Sequence, residues 1–239
     1  MGRLIQAKML ILFKSLGYKS LLLCSAGFGV LVSCIFIFAE ITTMNGYLLY
    51  MQALKETQSK YLLISIFAAT FVCSEFSNRT FGIAIMSGCS RLRLILAKAI
   101  AYIVGLIPLV LIYPLVGTII MTIHSGFGEM NPELWQHLFL TTFLHTLGMI
   151  ASGLFCFMLA VLIRNIGGTI GGTFGILVLL DLFVLLTSTL PSFKTFIFTY
   201  QLLQASEPES LPMYYLVMGV TSAILLLASI GIFKKAELK

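Results

Sequence analysis

The segment SEFSNRTFGIAIMSGCSRLRLILAK, residues 74–98, decides the fold because it concentrates charge between two apolar runs. It holds one acidic and four basic residues in a chain of which only 10% is charged. Soluble domains carry about 25% charged and about 45–50% apolar residues, whereas 59% of this chain is hydrophobic and its mean hydropathy is +1.04. The composition indicates an integral membrane protein with no sizeable soluble domain.

The length of each apolar run shows whether it is able to cross a membrane. A hydrocarbon layer about 30 Å thick takes about 20 apolar residues in a helix. Five segments meet this requirement: 20–40, 99–123, 138–163, 166–190 and 213–233. The segment 54–77 is less clear, because its charge-free part is only 14 residues long. By length alone, such a run favours an interfacial or buried segment.

The distribution of basic residues decides whether 54–77 crosses. Four basic residues and no acid precede the first span: Arg3, Lys8, Lys14 and Lys19. The positive-inside rule therefore places the N-terminus in the cytoplasm. Without a crossing at 54–77, the basic residues of 74–98 would face outward and Glu129 and Glu133 inward, which reverses the rule. With six spans, twelve Lys and Arg lie inside and three lie outside, namely Lys55, Lys60 and Lys194.

We therefore predict an all-α integral membrane protein with six transmembrane helices and both termini in the cytoplasm. The expected location is the cell membrane, taken as the plasma membrane of a bacterium. Residues 1–19 are predicted to form an amphipathic helix along the cytoplasmic interface. Its apolar face repeats at helical spacing: Ile5, Met9, Leu12, Phe13 and Leu16. The alternative is a simple extension of the first span.

The loop 78–98 has a charge-free centre with apolar side chains: Phe81, Ile83, Ile85 and Met86. A loop surrounded by water has no use for these side chains. We therefore expect a short helix at the membrane surface that buries them in lipid or against a cytoplasmic partner. The alternative is that the loop serves only as a positive-inside anchor for the two spans.

The charged residues of this loop follow a recognisable order. Glu75-Phe76, Asn78-Arg79-Thr80, Ser90-Arg91 and Lys98 resemble the first cytoplasmic loop of the type-two ABC exporter permeases. The ending Phe233-Lys234-Lys235-Ala236-Glu237-Leu238 is similar to the tail of that family, as is the six-span layout with its amphipathic N-terminal helix.

The resemblance implies a coupling helix in the loop between spans two and three, which docks on a separate ATPase subunit. It assigns this docking to Glu75, Arg79, Thr80, Phe81, Ser90, Arg91, Arg93 and Lys98. It further implies that two permeases, which we expect to form a homodimer, pair with two cytoplasmic ABC ATPases.

The chain itself lacks the residues that bind ATP. No Lys follows a Gly anywhere in it, so the phosphate-binding motif G-x-x-x-x-G-K-[ST] is absent. We expect ATP and Mg to be bound by the partner ATPase, and we expect no cofactor and no catalytic residue in this chain. A metal site is not expected either, because His124, His137 and His145 lack the i, i+4 spacing of helical metal ligands.

The apolar spans suit a hydrophobic or amphipathic cargo. Similarity to the short permeases of the resembled family implies export of amphipathic peptides, such as peptide toxins or antimicrobial peptides. Export of drugs or lipids is the alternative within that family. A channel or ion-coupled carrier and an intramembrane enzyme are the alternatives outside it.

Two features of the fifth span carry further predictions. Gly167, Gly171 and Gly175 recur every four positions, which permits close helix approach within the monomer or against a second permease. Asp181 lies about 22 Å from the cytoplasmic start of this span, where a carboxylate needs water or a polar partner. It either lines a translocation path or hydrogen-bonds to a neighbouring helix.

The basic pI of about 9.1 reflects membrane orientation, so we expect no nucleic-acid partner.

Overall fold

Every regular element in the described part of the computed structural model is a helix. The structure describes residues 2–39, 44–78, 80–129, 131–186, 197–206, 208 and 210–235. The elements, in chain order, are α1 (Gly2–Lys14), α2 (Leu16–Phe38), α3 (Gly46–Lys55), α4 (Gln58–Ala68), the π-helix Ala69–Cys73, α5 (Ser74–Ser77), α6 (Thr80–Met86), α7 (Arg91–Ser125), α8 (Pro132–Ile163), α9 (Ile166–Leu186), α10 (Phe198–Leu203) and α11 (Leu211–Lys235).

Six of these helical segments are long and apolar enough to cross a membrane. They are α2, the continuous run from α4 to α5, α7, α8, α9 and α11. The predicted all-α fold with six spanning helices is confirmed, and the chain is a multi-pass membrane protein.

The first and third spans run side by side in the same direction. Three hydroxyl groups of α2 donate to main-chain carbonyls of α7: Tyr18 to Gly105 (2.7 Å), Ser25 to Leu109 (2.9 Å) and Ser33 to Gly117 (3.1 Å). In lipid, hydrogen bonds between helices and the close approach of small residues replace the hydrophobic effect as the source of helix association. The small residues of α2 therefore account for its attachment to α7.

The second span is a broken helix that runs antiparallel to α7. Its outermost part, α3, starts beside the end of α7, where Gly46 N–H donates to Gly126 O and Tyr47 N–H to Phe127 O, both at 3.0 Å. The helix breaks after Lys55 and resumes at Gln58. The predicted span 54–77 is therefore wrong at its start, since it ran a single helix through the break.

The predicted loop 78–98 is also shorter than expected. It contains the predicted short helix, as α6, but α7 already begins at Arg91. Gly88, at φ +92°, follows the end of α6, and Ser90 precedes α7 in an extended conformation. The last eight predicted loop residues thus form the first two turns of the third span, because Arg, Leu and Lys are all good helix formers.

The remaining bounds differ from the predictions at their ends. The N-terminal helix ends at Lys14 rather than at 19, because Ser15 accepts a hydrogen bond from Tyr18 N–H (3.1 Å) and caps α2. The fourth span begins at Pro132 instead of 138, and the sixth covers Leu211–Lys235 instead of 213–233. The fifth begins at Ile166 as predicted, while its predicted residues 187–190 lie outside the described ones.

The core of the bundle lies between α4, α7 and α8 and is rich in aromatic rings. The rings of Phe67 and Tyr102 stack with centroids 4.7 Å apart, and Phe157 approaches Tyr102 at 5.4 Å. All three side chains are buried. This core holds the ends of the second and third spans in register, and those ends carry the charged groups described next.

Candidate functional site

One carboxylate joins three elements at the end of the bundle where α1, α6 and the start of α7 lie, here called the basic end. Glu75 Oε1 is 2.7 Å from Lys8 Nζ and 2.6 Å from Lys98 Nζ. The side chain of Lys98 is only 1% exposed, and those of Lys8 and Glu75 are 13% and 14% exposed. The ion pairs therefore connect α1, α5 and α7 in a largely dry environment.

Lys8 lies on the side of the N-terminal helix that packs against the bundle. Leu4 and Leu12, four residues on either side of Lys8, both pack against the core. Phe13 and Leu16, from the predicted apolar face, are 41% and 81% exposed and are thus available to lipid. The packed face of α1 thus has a lysine at its centre, and that lysine is accommodated because Glu75 neutralises it.

Aromatic rings hold α6 against the ends of the second and sixth spans. Phe76, Phe81 and Phe233, here called the aromatic cluster, have ring centroids 4.7 to 6.1 Å apart. Phe81 and Phe233 are 1% and 0% exposed. Nearby, Lys98 Nζ lies 3.6 Å from the ring centroid of Phe71, which adds a cation–π contact.

The residues assigned to ATPase docking divide into buried and exposed groups. Lys98 and Phe81 are buried and Glu75 is mostly so, and these three side chains are therefore not part of the accessible surface in this conformation. Thr80, Ser90 and Arg93 are exposed. Arg91 is half-buried, and its Nη1 donates to Lys234 O (2.9 Å) on α11. Arg79 lies outside the described residues.

The accessible surface of the loop is apolar as well as basic. Ile83 is 59% exposed and Met86 82%, and both lie on the side of α6 that faces away from the buried Phe81. Leu92, at the start of α7, is 41% exposed. With the exposed Arg93, these side chains form a mixed apolar and basic surface at the basic end.

A cavity of about 410 Å³ opens beside the ion pairs. Lys8, Glu75 and Lys98 lie on its wall, together with aromatic side chains of the second span. Glu75 Oε2 has no hydrogen-bond partner among the described residues. This carboxylate is therefore not fully satisfied in the conformation described here.

The three glycines of the fifth span have open space around them among the described residues of the monomer. A Cβ atom added at Gly171 or Gly175 would meet nothing within 4 Å, and at Gly167 it would approach only Asn165 of the same chain segment. Packing within the described part of the monomer therefore does not explain this stripe. A second copy remains the alternative that the sequence raised.

Polar side chains gather where the second span is broken. Lys60 is 1% exposed, and its Nζ donates to the carbonyls of Ala53 (2.6 Å) and Leu54 (2.9 Å). Its third close partner is His145 Nε2, at 2.9 Å. Lys60 was expected on the outer surface, but it caps the last carbonyls of α3 from inside the bundle, which satisfies groups that a helix end leaves unpaired.

Asp181 faces the same break from the fifth span. Its Oδ2 accepts a hydrogen bond from Thr57 Oγ1 (3.2 Å), and its Oδ1 accepts one from Tyr61 OH (3.4 Å). The carboxylate also lines a cleft of about 430 Å³ between the break and α9. Of the two roles left open for Asp181, the hydrogen bond to a neighbouring helix is present, and it coexists with exposure to a cavity.

Sequence reasoning missed Lys8, Thr57, Tyr61 and His145 as members of these clusters. Two signals were available. Six polar residues stand in a row at 55–60, which indicates a helix interruption, and Thr57 and Tyr61 have the i, i+4 spacing of one helical face. Lys8 has the same spacing relative to Leu4 and Leu12, but a charged residue is not counted in a hydrophobic pattern.

Known proteins offer no assignment for these clusters. No protein-family model matches the chain, and no curated protein matches it.

Proposed function

We propose that this chain is the membrane subunit of an ATP-driven ABC exporter, acting as a dimer with two cytoplasmic ATPase subunits. The observation that carries the proposal is α6. It is a short helix at the basic end, fastened on one side by the buried Phe81 and open on the other through Ile83 and Met86. A helix of this kind suits a docking element, because a partner can bind its open side while its closed side moves the bundle.

The connections of α6 support force transmission. Its first residue, Thr80, donates to the carbonyl of Glu75 (3.1 Å), and Glu75 is paired with lysines of α1 and α7. Through Phe81 it also contacts the end of α11. A displacement of α6 would therefore reach four elements at once, which a loop serving only as a charged anchor would not need.

The proposal assigns ATP and Mg to the partner ATPase, so this chain acts as a transport subunit and not as an enzyme. The cargo is a hydrophobic or amphipathic molecule, with amphipathic peptides as the best candidate class and drugs or lipids as the alternative. Two such chains would enclose the path, and the open glycine stripe of α9 is available for contact between them.

The open side of α6 provides the test. Met86→Asp should reduce co-purification of the ATPase and the ATP hydrolysis coupled to transport by about tenfold, because it places a charge in an apolar contact. Arg93→Glu should leave membrane insertion intact and uncouple hydrolysis from transport. Arg93 is the sharper choice than Arg91, whose guanidinium already bonds to α11.

Ile123→Asp is the matched control for this test. Ile123 is also 82% exposed, but it lies near the opposite end of α7. The control should leave ATPase binding unchanged. Equal losses in Met86→Asp and Ile123→Asp, or no loss in either, would contradict docking at α6.

The broken second span favours a second candidate, an ion-coupled carrier. Carriers of that class bind ions at interrupted helices near the middle of the membrane. At this break, however, the amino group of Lys60 already occupies the last carbonyls of α3 as a hydrogen-bond donor. Transport that persists without the ATPase and follows a proton or sodium gradient would decide for the carrier.

A further inference from the structure

The break in the second span lies well below the outer ends of its neighbours. Lys60 Nζ lies 5.8 Å from the ring centroid of Tyr113. Tyr113 precedes the last residue of α7 by twelve positions, a distance of about 18 Å along the helix. Non-helical backbone at membrane depth is tolerated where it is buried in protein or lines a cavity. Here Lys60 and the bundle bury one side of the break, and the other side lines the cleft beside α9.

The cleft has an acidic polar edge and an apolar wall. Glu56 and Thr57 of the break and Asp181 of α9 form the edge, and Leu182, Leu185 and Leu203 form the wall. The cleft is polar on one side and apolar on the other, so it matches a ligand that is itself amphipathic. Lys55 also lines the cleft, but it is exposed and makes no ion pair with either acid in the described part of the chain.

The Asp181 carboxylate is held in place yet not neutralised by the described residues. Thr57 and Tyr61 each donate to one of its oxygens, and both donors are themselves buried. No described cation lies within ion-pair distance of it, since the ion pairs of the described residues all involve Glu75. Lys60 is close in sequence, but its ammonium group is engaged by two carbonyls and His145.

A buried hydroxyl also lies next to this carboxylate. Thr199, on α10, is 0% exposed and is close enough to Asp181 to hold its carboxylate in place together with Thr57 and Tyr61.

We propose that this cleft binds the ammonium or guanidinium group of an amphipathic cation, with Asp181 as its counter-ion and the leucines as the wall for its apolar part. The inference rests on the proposed function in one respect: in an exporter, the cation is a basic group of the cargo, so the cargo class narrows to cationic amphipaths. A bare inorganic cation would leave the leucine wall unused. No group of three or more His, Cys, Asp or Glu suited to a metal occurs among the described residues.

Direct binding to the isolated chain tests the site. The protein is placed in nanodiscs of zwitterionic lipid, and two fluorescent probes of equal chain length are titrated: a dodecylamine that carries NBD at the far end of its chain, so that its amine stays free and protonated, and the matching NBD-labelled dodecanol. Signals from empty nanodiscs are subtracted. The wild-type chain should bind the amine about tenfold more tightly than the alcohol, the value of one charge-assisted hydrogen bond.

Asp181→Asn should abolish this preference and leave binding of the alcohol unchanged, because Asn keeps the shape and one acceptor oxygen while removing the charge. Glu133→Gln removes one exposed acid at the start of α8 and should keep the preference. The thermal unfolding temperature of each variant in the nanodisc establishes that it is folded. Equal binding of both probes by the wild type, or a preference that survives in Asp181→Asn, overturns the proposal.

The outcome is separate from that of the proposed function, because no ATPase is present in the binding assay. If the chain prefers the amine but never associates with an ATPase, the binding-site proposal stands and the exporter proposal fails. If the chain couples to an ATPase but binds both probes equally, the exporter proposal stands and the binding-site proposal fails.

Discussion

Glu75 pairs with two lysines that come from different helices, and one of them, Lys98, is almost fully buried. A buried ion pair adds little net stability compared with an apolar pair, but leaving one of its charges alone is expensive. The two lysines therefore make Glu75 the residue at the basic end on which the arrangement of α1, α5 and α7 most depends.

Glu75→Gln should lower the free energy of unfolding by about 3 kcal/mol, because the buried Lys98 would lose the carboxylate that stabilises its charge. Thermal or denaturant unfolding of the purified chain in detergent measures this loss. Glu133→Gln, at an exposed position in the first turn of α8, is the control and should change stability by less than about 1 kcal/mol. A loss for Glu75→Gln no larger than that of the control would show that the ion pairs are dispensable.

Individual charged residues were only partly predictable. Glu75 and Lys98 stood out because they interrupt apolar sequence, but their mutual contact depends on the antiparallel packing of the second and third spans. Their burial follows from that contact. An argument from composition has no knowledge of the contact and therefore places both charged residues on the surface. Asp181 was recognised from its apolar surroundings, whereas its contact with Thr57 and Tyr61 depends on how the second span packs against α9.

At the scale of elements, α3 is a short helix whose C-terminal carbonyls are satisfied by the side chain of Lys60. A helix of ten residues is marginal by itself. Its order therefore depends on packing against α7 and on this cap.

Lys60→Met should lower the free energy of unfolding by about 2 kcal/mol, because two carbonyls in the bundle lose their donor and methionine cannot replace it. Amide hydrogen exchange in residues 46–55 should accelerate by about tenfold. Lys55→Met provides the comparison, since Lys55 is exposed and should exchange at the wild-type rate. Unchanged exchange in Lys60→Met would mean that packing on α7 suffices to order α3.

The elements were predictable where apolar length alone determines them. Five spans were located from charge-free runs, and the sixth from the balance of basic residues on the two sides of the membrane. The ends of the helices could not be predicted in this way. A helix continues past its apolar part wherever the polar residues are good helix formers, as in the first turns of α7. The break at Glu56 and Thr57 also escaped, since a run of polar residues near a membrane surface is compatible with either a loop or an exposed helix.

At the scale of the whole molecule, the unpacked glycines of α9 present a smooth surface to lipid or to a second chain. Glycine at four-residue spacing allows two helix backbones to approach closely. Since a Cβ atom added at Gly171 or Gly175 would meet none of the described residues within 4 Å, a larger side chain fits there without disturbing the described fold.

The double variant Gly171→Leu and Gly175→Leu should weaken self-association by about tenfold and leave the monomer folded. Single-molecule photobleaching in liposomes at several protein-to-lipid ratios measures the dimer fraction. Gly219→Leu and Gly231→Leu on α11 are the matched control, because these glycines are equally free of neighbours. Equal dimer fractions in both double variants would place the contact between copies elsewhere.

The attachment of the second span to α7 at both ends has a mechanical consequence. Near one end Glu75 is paired with Lys98, and at the other the main chain of Gly46 and Tyr47 is bonded to that of Gly126 and Phe127. Because both ends of the second span are attached to the same helix α7, a displacement of Glu75 cannot be accommodated by shifting the whole second span. The second span therefore bends where its α-helical hydrogen bonding is already irregular. These places are the break at Glu56–Thr57 and the π-helix Ala69–Cys73. The first of these hinges is the edge of the cleft, so the same displacement that bends the second span would also change the width of its mouth.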